Sequence, residues 1–488
     1  MSLVHPLELP EIIEHLGHFL SLWTQEQEQQ TGPKKTVFTP KTFLTCLRVS
    51  RLWHQTLLPI LWATYDAEGM EHVPTDILRR YSSNFRTFCM PRGWILFTFV
   101  DCTKLTRLTL NSNTADIGHS RQMVRSNPGL KSLKWNGPSI LPLLPCDEFA
   151  SLTRLESLTL SLWDVSGGRL GRALRLLAGS IKELEIGWLT GLHVQGTRWI
   201  TAEGNDTEDD SLIFPCLELV RLPGLCFGPD PAEFVKSCPN LARLELTLER
   251  YKDNYKDDED IVRITDSLCA HCPKLRSLAV KGTIEQGLKA TLIRNCATSN
   301  SLSEIIVVVP SIDSHIADSI ALHASTLSTL GILNMTNGPV ALDQLFQLPA
   351  RCPRLRQFSV GAWYCCETGP AVLDAIRTAA WRSNSRLEVL DLDIGDIKET
   401  SKRADASTLG EMFKDGPIIG WHYHAGDSIA SYKTNVRLSR AFVEDMFKSV
   451  AGFENLWLLR WCMIVFTRSS RPAEARFASL PFIHSADD

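Results

Sequence analysis

Leu155-Glu156-Ser157-Leu158-Thr159-Leu160 puts large apolar residues at the first, fourth and sixth positions of a six-residue run. Leu158 and Leu160 alternate with hydroxyl residues at the two-residue period of a half-buried strand. The same spacing occurs at Leu105/Leu108/Leu110, Leu130/Leu133/Trp135, Ile181/Leu184/Ile186, Leu217/Val220/Leu222 and Leu241/Leu244/Leu246. It continues through Leu275/Leu278/Val280, Leu302/Ile305/Val307, Leu327/Leu330/Ile332, Leu355/Phe358/Val360 and Leu387/Leu390/Leu392. Phe85/Phe88/Met90 reads as a degenerate first unit and Phe453/Leu456/Leu458 as a degenerate last one. Most steps are about 24 to 28 residues, the period of a strand-helix repeat.

Between these runs the period changes from two to four. Ile284, Leu288, Leu292 and Cys296 predict one helix, Ile312, Ile316, Ile320 and Ala324 a second, and Val372, Ile376 and Ala380 a third. Asn127-Pro128, Phe214-Pro215, Cys238-Pro239, Cys272-Pro273 and Cys352-Pro353 end a helix ahead of the next strand. One such unit cannot bury its apolar edge alone, so neighbours stack, with strands on the concave side and helices on the convex. The spacing resembles that of leucine-rich repeats. The expected fold is α/β: a helical N-terminal module followed by a curved leucine-rich-repeat solenoid of about 11 to 13 irregular units. The Asn or Cys that usually follows the last strand leucine by three residues is present at Asn113, but is Trp163 or Trp363 in other units.

The N-terminal module opens with Leu9-Pro10-Glu11-Ile12-Ile13. Pro10 suits a first helical turn, and Glu11 suits the positive end of the helix dipole. Ile12, Ile13, Leu16, Phe19 and Leu20 form one apolar stripe; Phe43, Leu44, Leu47, Val49 and Trp53, then Leu57, Leu58, Leu61 and Trp62, form another. So much apolar surface on a few short helices exceeds what they bury among themselves, which implies a partner. Leu9, Pro10, Glu11, Ile12, Val49, Ser50, Trp53, Leu61 and Trp62 resemble the conserved positions of an F-box. The resemblance implies docking onto a Skp-type adaptor and through it a cullin-RING ligase. The implied contacts are Leu9, Pro10, Ile12, Ile13, Leu16, Leu20, Leu47, Val49, Ser50, Trp53, Leu58, Pro59, Leu61 and Trp62. Two departures stand out: no spacer separates Pro10 from Glu11, and a polar segment around residues 25–30 lengthens the first connection as an expected flexible loop.

The expected organisation is an F-box over 5–65, a linker and degenerate first repeat over 66–102, the repeats over 103–461, and an irregular tail over 462–488. Insertions are expected at 193–212, 248–260 and 396–436, on the rim where specificity often resides. Strand alternation sends Arg107, Asn111, Lys134, Glu183, Glu185, Arg221, Arg243, Glu245, Asp391 and Asp393 to the concave face as substrate-binding candidates. Trp163, Trp188 and Trp363 follow their strands at the rim, where aromatic residues often anchor partners.

Composition bounds the remaining classes. The chain has 488 residues, a formal net charge of -4 and 44% hydrophobic residues, which argues for a folded protein and against general nucleic-acid binding. Of the 14 cysteines, Cys238, Cys272 and Cys352 share one repeat position where a small buried hydrophobe fits. Cys269 and Cys272 form a lone Cys-x-x-Cys without a second pair at zinc-ribbon spacing, so no metal is expected. No secretory signal or membrane-spanning run is evident, and the expected location is cytoplasmic or nuclear. No phosphate-binding loop, dinucleotide fingerprint or nucleophile elbow is found, so neither cofactor nor catalysis by this chain is expected. F-box followed by leucine-rich repeats implies a substrate-recognition subunit of an SCF-type ubiquitin ligase, holding an unidentified protein substrate. Two other readings stay open: a repeat scaffold outside any ligase, and a metal-dependent activity at His422 and His424 near Asp427.

Overall fold

The computed structural model describes residues 9–27, 34–90, 102–111, 117–137, 142–165, 169–187, 189–190, 212–225, 229–248, 257–282, 284–299, 301–309, 312–334, 342–362, 378, 386–394, 421–425, 456, 458–461 and 464–468. Two compact units divide the chain: Met1–Leu275 with Gly282–Ile284, and Arg276–Lys281 with Glu285–Asp488.

The first unit begins with α1 (Pro10–Phe19), carrying Pro10 and Glu11 in its first turn and His18 in its last. After α1, β1 (Trp23–Gln27) and β2 (Lys34–Phe38) pair antiparallel, with Trp23 opposite Phe38. Residues 25–27, expected within a flexible loop, are therefore strand, and the apolar ends of the strand pair explain why. Trp23 and Phe38 rings lie 5.2 Å apart, Phe38 lies 5.8 Å from Trp62, and the Phe38 N–H donates to the Gly69 carbonyl at 3.0 Å. Gly69 admits this close approach, because a Cβ there would sit 2.7 Å from the Thr36 carbonyl oxygen. Helices α2 (Lys41–Cys46) and α3 (Arg51–Leu61) follow. Ser50 caps α3, its hydroxyl accepting from the Trp53 N–H at 3.2 Å.

Strand β3 (Thr64–Asp66) pairs parallel with β4 (Thr87–Met90) across α4 (Thr75–Tyr81), so the sheet starts inside the span expected for the F-box. Sequence pattern alone does not reveal β3, whose single buried residue is Tyr65. The unit continues with β5 (Arg107–Asn111), α5 (Ile117–Arg125), β6 (Ser132–Asn136), β7 (Ser157–Ser161), β8 (Trp163–Asp164) and α6 (Arg169–Leu177). Then come β9 (Glu183–Ile186), β10 (Leu189–Thr190), β11 (Leu219–Leu225), α7 (Pro229–Lys236), β12 (Arg243–Leu248) and α8 (Asp257–His271). Residues 257–260, expected within a rim insertion, are instead the first turn of α8.

Strands β3, β4, β5, β6, β7, β9, β11 and β12 pair in parallel in that order. Leu108, Leu133, Leu158, Leu184, Val220 and Leu244 stand in register across six of them, each no more than 1% exposed. At the strand entrances each carbonyl accepts two N–H groups of the next unit: Thr106 from Lys131 and Ser132, Lys131 from Glu156 and Ser157, Glu156 from Lys182 and Glu183. This backbone ladder satisfies the entrance groups without side chains.

The second unit contains β13 (Ser277–Lys281), α9 (Gln286–Ser299), β14 (Glu304–Val308), α10 (Ser314–Ala321), β15 (Thr329–Asn334), α11 (Leu342–Arg351), β16 (Gln357–Ala362) and β17 (Val389–Ile394). It ends with β18 (Trp421–Ala425), β19 (Leu458–Trp461) and β20 (Ile464–Arg468). Strands β13 to β17 and β19 pair in parallel, while β19, β20 and β18 form an antiparallel edge. Helices α9 and α10 match two of the expected helices, and the third rests on Val372, Ile376 and Ala380, which fall outside the described residues. Two expectations are corrected at the end of the unit. The last repeat is Leu456/Leu459/Trp461, because Leu390 pairs with Leu459 and Leu392 with Trp461. Both triplets satisfy the same spacing, and only pairing with β17 selects between them. Residues 464–468, assigned to an irregular tail, are strand β20. No helix among the described residues is long and apolar enough to cross a membrane.

Candidate partner-binding surfaces

The helical module fills its own core with some of the residues expected to meet an adaptor. Ile13 is 0% exposed and Leu61 2%, and Leu47 and Trp62 are also buried. Trp62 stacks on Tyr81 with ring centroids 4.9 Å apart. These four are corrected to internal packing: α1 and α3 cross so closely at Gly17 that a Cβ there would lie 2.7 Å from Leu57 Cδ2. A face that close-packed has no room for a partner. Ser50 serves first as the cap of α3. Leu20, Trp53 and Leu58 are half-buried, and Pro10 and Pro59 are exposed.

What remains outside is a continuous apolar stripe. Leu9 is 38% exposed, Ile12 37%, Leu16 38% and Phe19 74%, at steps of three and four residues along one side of α1. Leu44 at 43% on α2 and Val49 at 62% in the turn after it are also exposed. Phe19 and Leu44 are exposed but stand outside the set expected to meet an adaptor, although the helical period of α1 puts Phe19 in line with Leu9, Ile12 and Leu16. The β1–β2 hairpin is tied to Gly69 and Trp62 and leaves this stripe uncovered.

A second surface is the strand face turned away from the leucine core. In the first unit the expected alternation holds, with Arg107, Lys134, Glu183 and Arg243 exposed and Asn111, Glu185, Arg221 and Glu245 half-buried. Register brings Thr109, Lys134, Thr159, Glu185, Arg221 and Glu245 into one row. Arg221 lies between two carboxylates, 3.3 Å from Glu185 and 3.5 Å from Glu245. A parallel row ends in amides: Asn136 Nδ2 donates to Asn111 Oδ1 at 2.6 Å, Ser161 Oγ donates to Asn136 Oδ1, and Asn111 Nδ2 donates to the Met90 carbonyl at 2.8 Å.

The rim tryptophans do not share that surface. Trp163 is 0% exposed, and its indole N–H donates to the Trp135 carbonyl at 2.8 Å, so it is corrected to a core residue. Leu162, at φ 59°, turns the chain to bring it inward. Trp188 and Trp363 lie outside the described residues. In the second unit the corresponding strand face is buried: Ser277, Ala279, Ile306, Val308 and Ser359 are each under 8% exposed. Asp391 is 1% exposed and is corrected from a surface contact to a buried residue. Asp393 is in β17, in register with Gly361.

Cys238, Cys272 and Cys352 are each fully buried. Burial pushes the Cys238 thiol well above the ordinary range, that of Cys272 up to about 12, and that of Cys352 up to about 11. Such thiols are packing elements, unsuited to nucleophilic chemistry. Among the described residues no group of three or more His, Cys, Asp or Glu side chains is placed to hold a metal ion. His422 and His424 are residues of β18, while Asp427 is outside the described residues.

No protein-family model and no curated protein matches the chain. Among solved structures it is similar to the leucine-rich repeat-containing protein LegL7 from Legionella pneumophila, at 12% identity and a TM-score of 0.35, over 64% of this chain and 95% of that one. It is also similar to the Rad7 and Elc1 complex in yeast, at 16% identity and a TM-score of 0.37, over 62% of this chain and 72% of that one. The register-matched strand-helix units are those of an α/β leucine-rich-repeat fold.

Proposed function

We propose that this chain is the substrate-recognition subunit of an SCF-type ubiquitin ligase. In this reading the N-terminal helices dock onto a Skp-type adaptor, and the repeats hold a protein substrate. The observation that carries the reading is the exposed stripe of Leu9, Ile12, Leu16 and Phe19 on a module whose core is already complete. A helix presenting apolar anchors at such steps suits docking into a groove. The chain itself is non-catalytic. It works by proximity, since holding a substrate lysine near an activated thioester raises its effective concentration without a reacting group from the receptor. Cytoplasm and nucleus are the compartments where this assembly would act.

The test is co-expression with a Skp-type adaptor, comparing wild type with a Leu9→Ala/Leu16→Ala/Phe19→Ala variant by pull-down. Substitutions at exposed positions change stability by about 0.5 kcal/mol each or less, so circular dichroism should show a folded variant. Central anchors of an interface contribute about 2 kcal/mol or more each, so the variant should lose the adaptor. Undiminished adaptor binding by the variant, or none by folded wild type, would refute the reading and leave a repeat scaffold outside the ligase.

A further inference from the structure

Two cations on the strand face of the first unit have no counterion among the described residues. Arg107 on β5 and Lys134 on β6 are exposed, and neither side chain has a hydrogen-bond or ion-pair partner among the described residues. This contrasts with Arg221 on the same face, which Glu185 and Glu245 hold from either side. Arg107 pairs in register with Ser132, and Lys134 lies two residues further along β6. Their Cα atoms are thus about 8 Å apart, from one strand spacing and two residue rises. The hydroxyls between and beside them, on Thr109, Ser132 and Thr159, have no side-chain hydrogen bond among the described residues and are half-buried. The amide ladder of Asn111 and Asn136 closes one border of this patch, because its groups already satisfy one another.

A second border, across β7 on β9, carries carboxylates. Lys134 is followed in its row by Thr159 on β7 and Glu185 on β9, with Glu183 two residues away on the same strand. Two strand spacings put Glu185 about 10 Å from Lys134, close to the screening length at physiological salt. Glu183 is exposed, and Glu185 Oε2 already lies 3.3 Å from Arg221 while its Oε1 has no partner among the described residues; on the other side of the cations Asp66 shares the row of Cys89 and Thr109, so the cations lie between two acidic borders.

We propose that this face binds an extended, charge-patterned segment of a partner protein, with acidic side chains two residues apart and a basic one two residues further on. Side chains on one face of an extended chain recur about every 7 Å, which matches the separation of Arg107 and Lys134. By the same spacings Glu185 lies about 16 Å from Arg107, against about 13 Å between side chains four residues apart in an extended chain, so the third side chain reaches it if it is a lysine or arginine, whose long stem spans the difference. The complementarity is electrostatic, so it sets orientation and selectivity. The proposal deepens the receptor reading by stating the class of segment the repeats would hold.

The test uses the full chain and two labelled peptide pools, degenerate except for fixed Glu-x-Glu-x-Lys in one and Lys-x-Lys-x-Glu in the other, with binding read by fluorescence anisotropy. Wild type should bind the first pool at least about tenfold more tightly than the second, with the preference shrinking as salt rises. An Arg107→Ala/Lys134→Ala variant should lose about tenfold for the first pool, and an Arg107→Glu/Lys134→Glu variant should reverse toward the second. A Lys236→Ala variant on α7 should match wild type. Equal binding of the two pools, no binding of either, or an unaltered preference in the double variants would overturn the proposal. Adaptor is absent from this assay, so its outcome is independent of the ligase reading. A chain that holds adaptor but ignores the pools loses only this inference, and the converse result loses only the ligase.

Discussion

Lys289 on α9 is 1% exposed, and its Nζ donates to the Val308 carbonyl at 2.5 Å. Burial pushes the amine down from 10.5 to about 8. Below about pH 8 both folded and unfolded chains carry the proton, and the folded state bears the full cost of burying the charge. Between about 8 and 10.5 the unfolded chain binds more protons than the folded one, so stability rises with pH across that window. The gap corresponds to about 3 kcal/mol. Lys289→Met keeps a long apolar side chain, abolishes the titration and removes one hydrogen bond worth about 1 kcal/mol. The variant should therefore be about 2 kcal/mol more stable than wild type near pH 7, and about 1 kcal/mol less stable above pH 10. Urea denaturation of both proteins side by side from neutral to alkaline pH checks this, because other titrating groups cancel in the difference. A wild-type-minus-variant difference that stays flat or falls as pH rises would refute the reasoning.

Gly17→Ala should destabilise the helical module although alanine favours a helix by about 1 kcal/mol. The new Cβ would lie 2.7 Å from Leu57 Cδ2 and 2.9 Å from Ile60 Cδ1, with Leu57 fully buried. A net loss of about 1 kcal/mol is expected, read as a lower melting temperature; an unchanged or higher one contradicts it. Asn127→Ala should cost about 3 kcal/mol in denaturant titration. The buried Asn127 amide accepts from the Leu105 N–H at 2.8 Å and donates to the Cys102 and Met123 carbonyls at 2.6 and 2.8 Å. Iodoacetamide at pH 8 should leave Cys238, Cys272 and Cys352 unmodified in the native chain while alkylating the half-exposed Cys46; rapid native labelling of the three, followed by mass spectrometry, would contradict their placement.

The repeat was legible because its signal is local and written many times. Each strand carries its own period-two pattern, which by itself places Leu108, Leu133 and Leu158 in one buried row. Alternation likewise put Arg107, Lys134 and Glu183 on the opposite face of the first unit. The last repeat was misread by three residues because Phe453/Leu456/Leu458 and Leu456/Leu459/Trp461 fit the same spacing, and spacing carries no information about which strand lies beside it.

In the helical module, the sequence determined that α1 is amphipathic and that its apolar surface is more than one small core needs. Which residues lie inward depended on the crossing of α1 with α3 at Gly17, where neighbouring Ile12 and Ile13 take opposite sides. Trp163 followed the same rule: its position after a strand suggested a rim, but the turn at Leu162 and the hydrogen bond to the Trp135 carbonyl brought its indole into the core. Composition and period, which are properties of single segments, thus determined most of the repeat strands, the helices α9 and α10 between them and the leucine core. Tertiary structure alone decided which apolar and charged side chains remain exposed, because burial and pairing depend on the neighbours that packing brings from elsewhere in the chain.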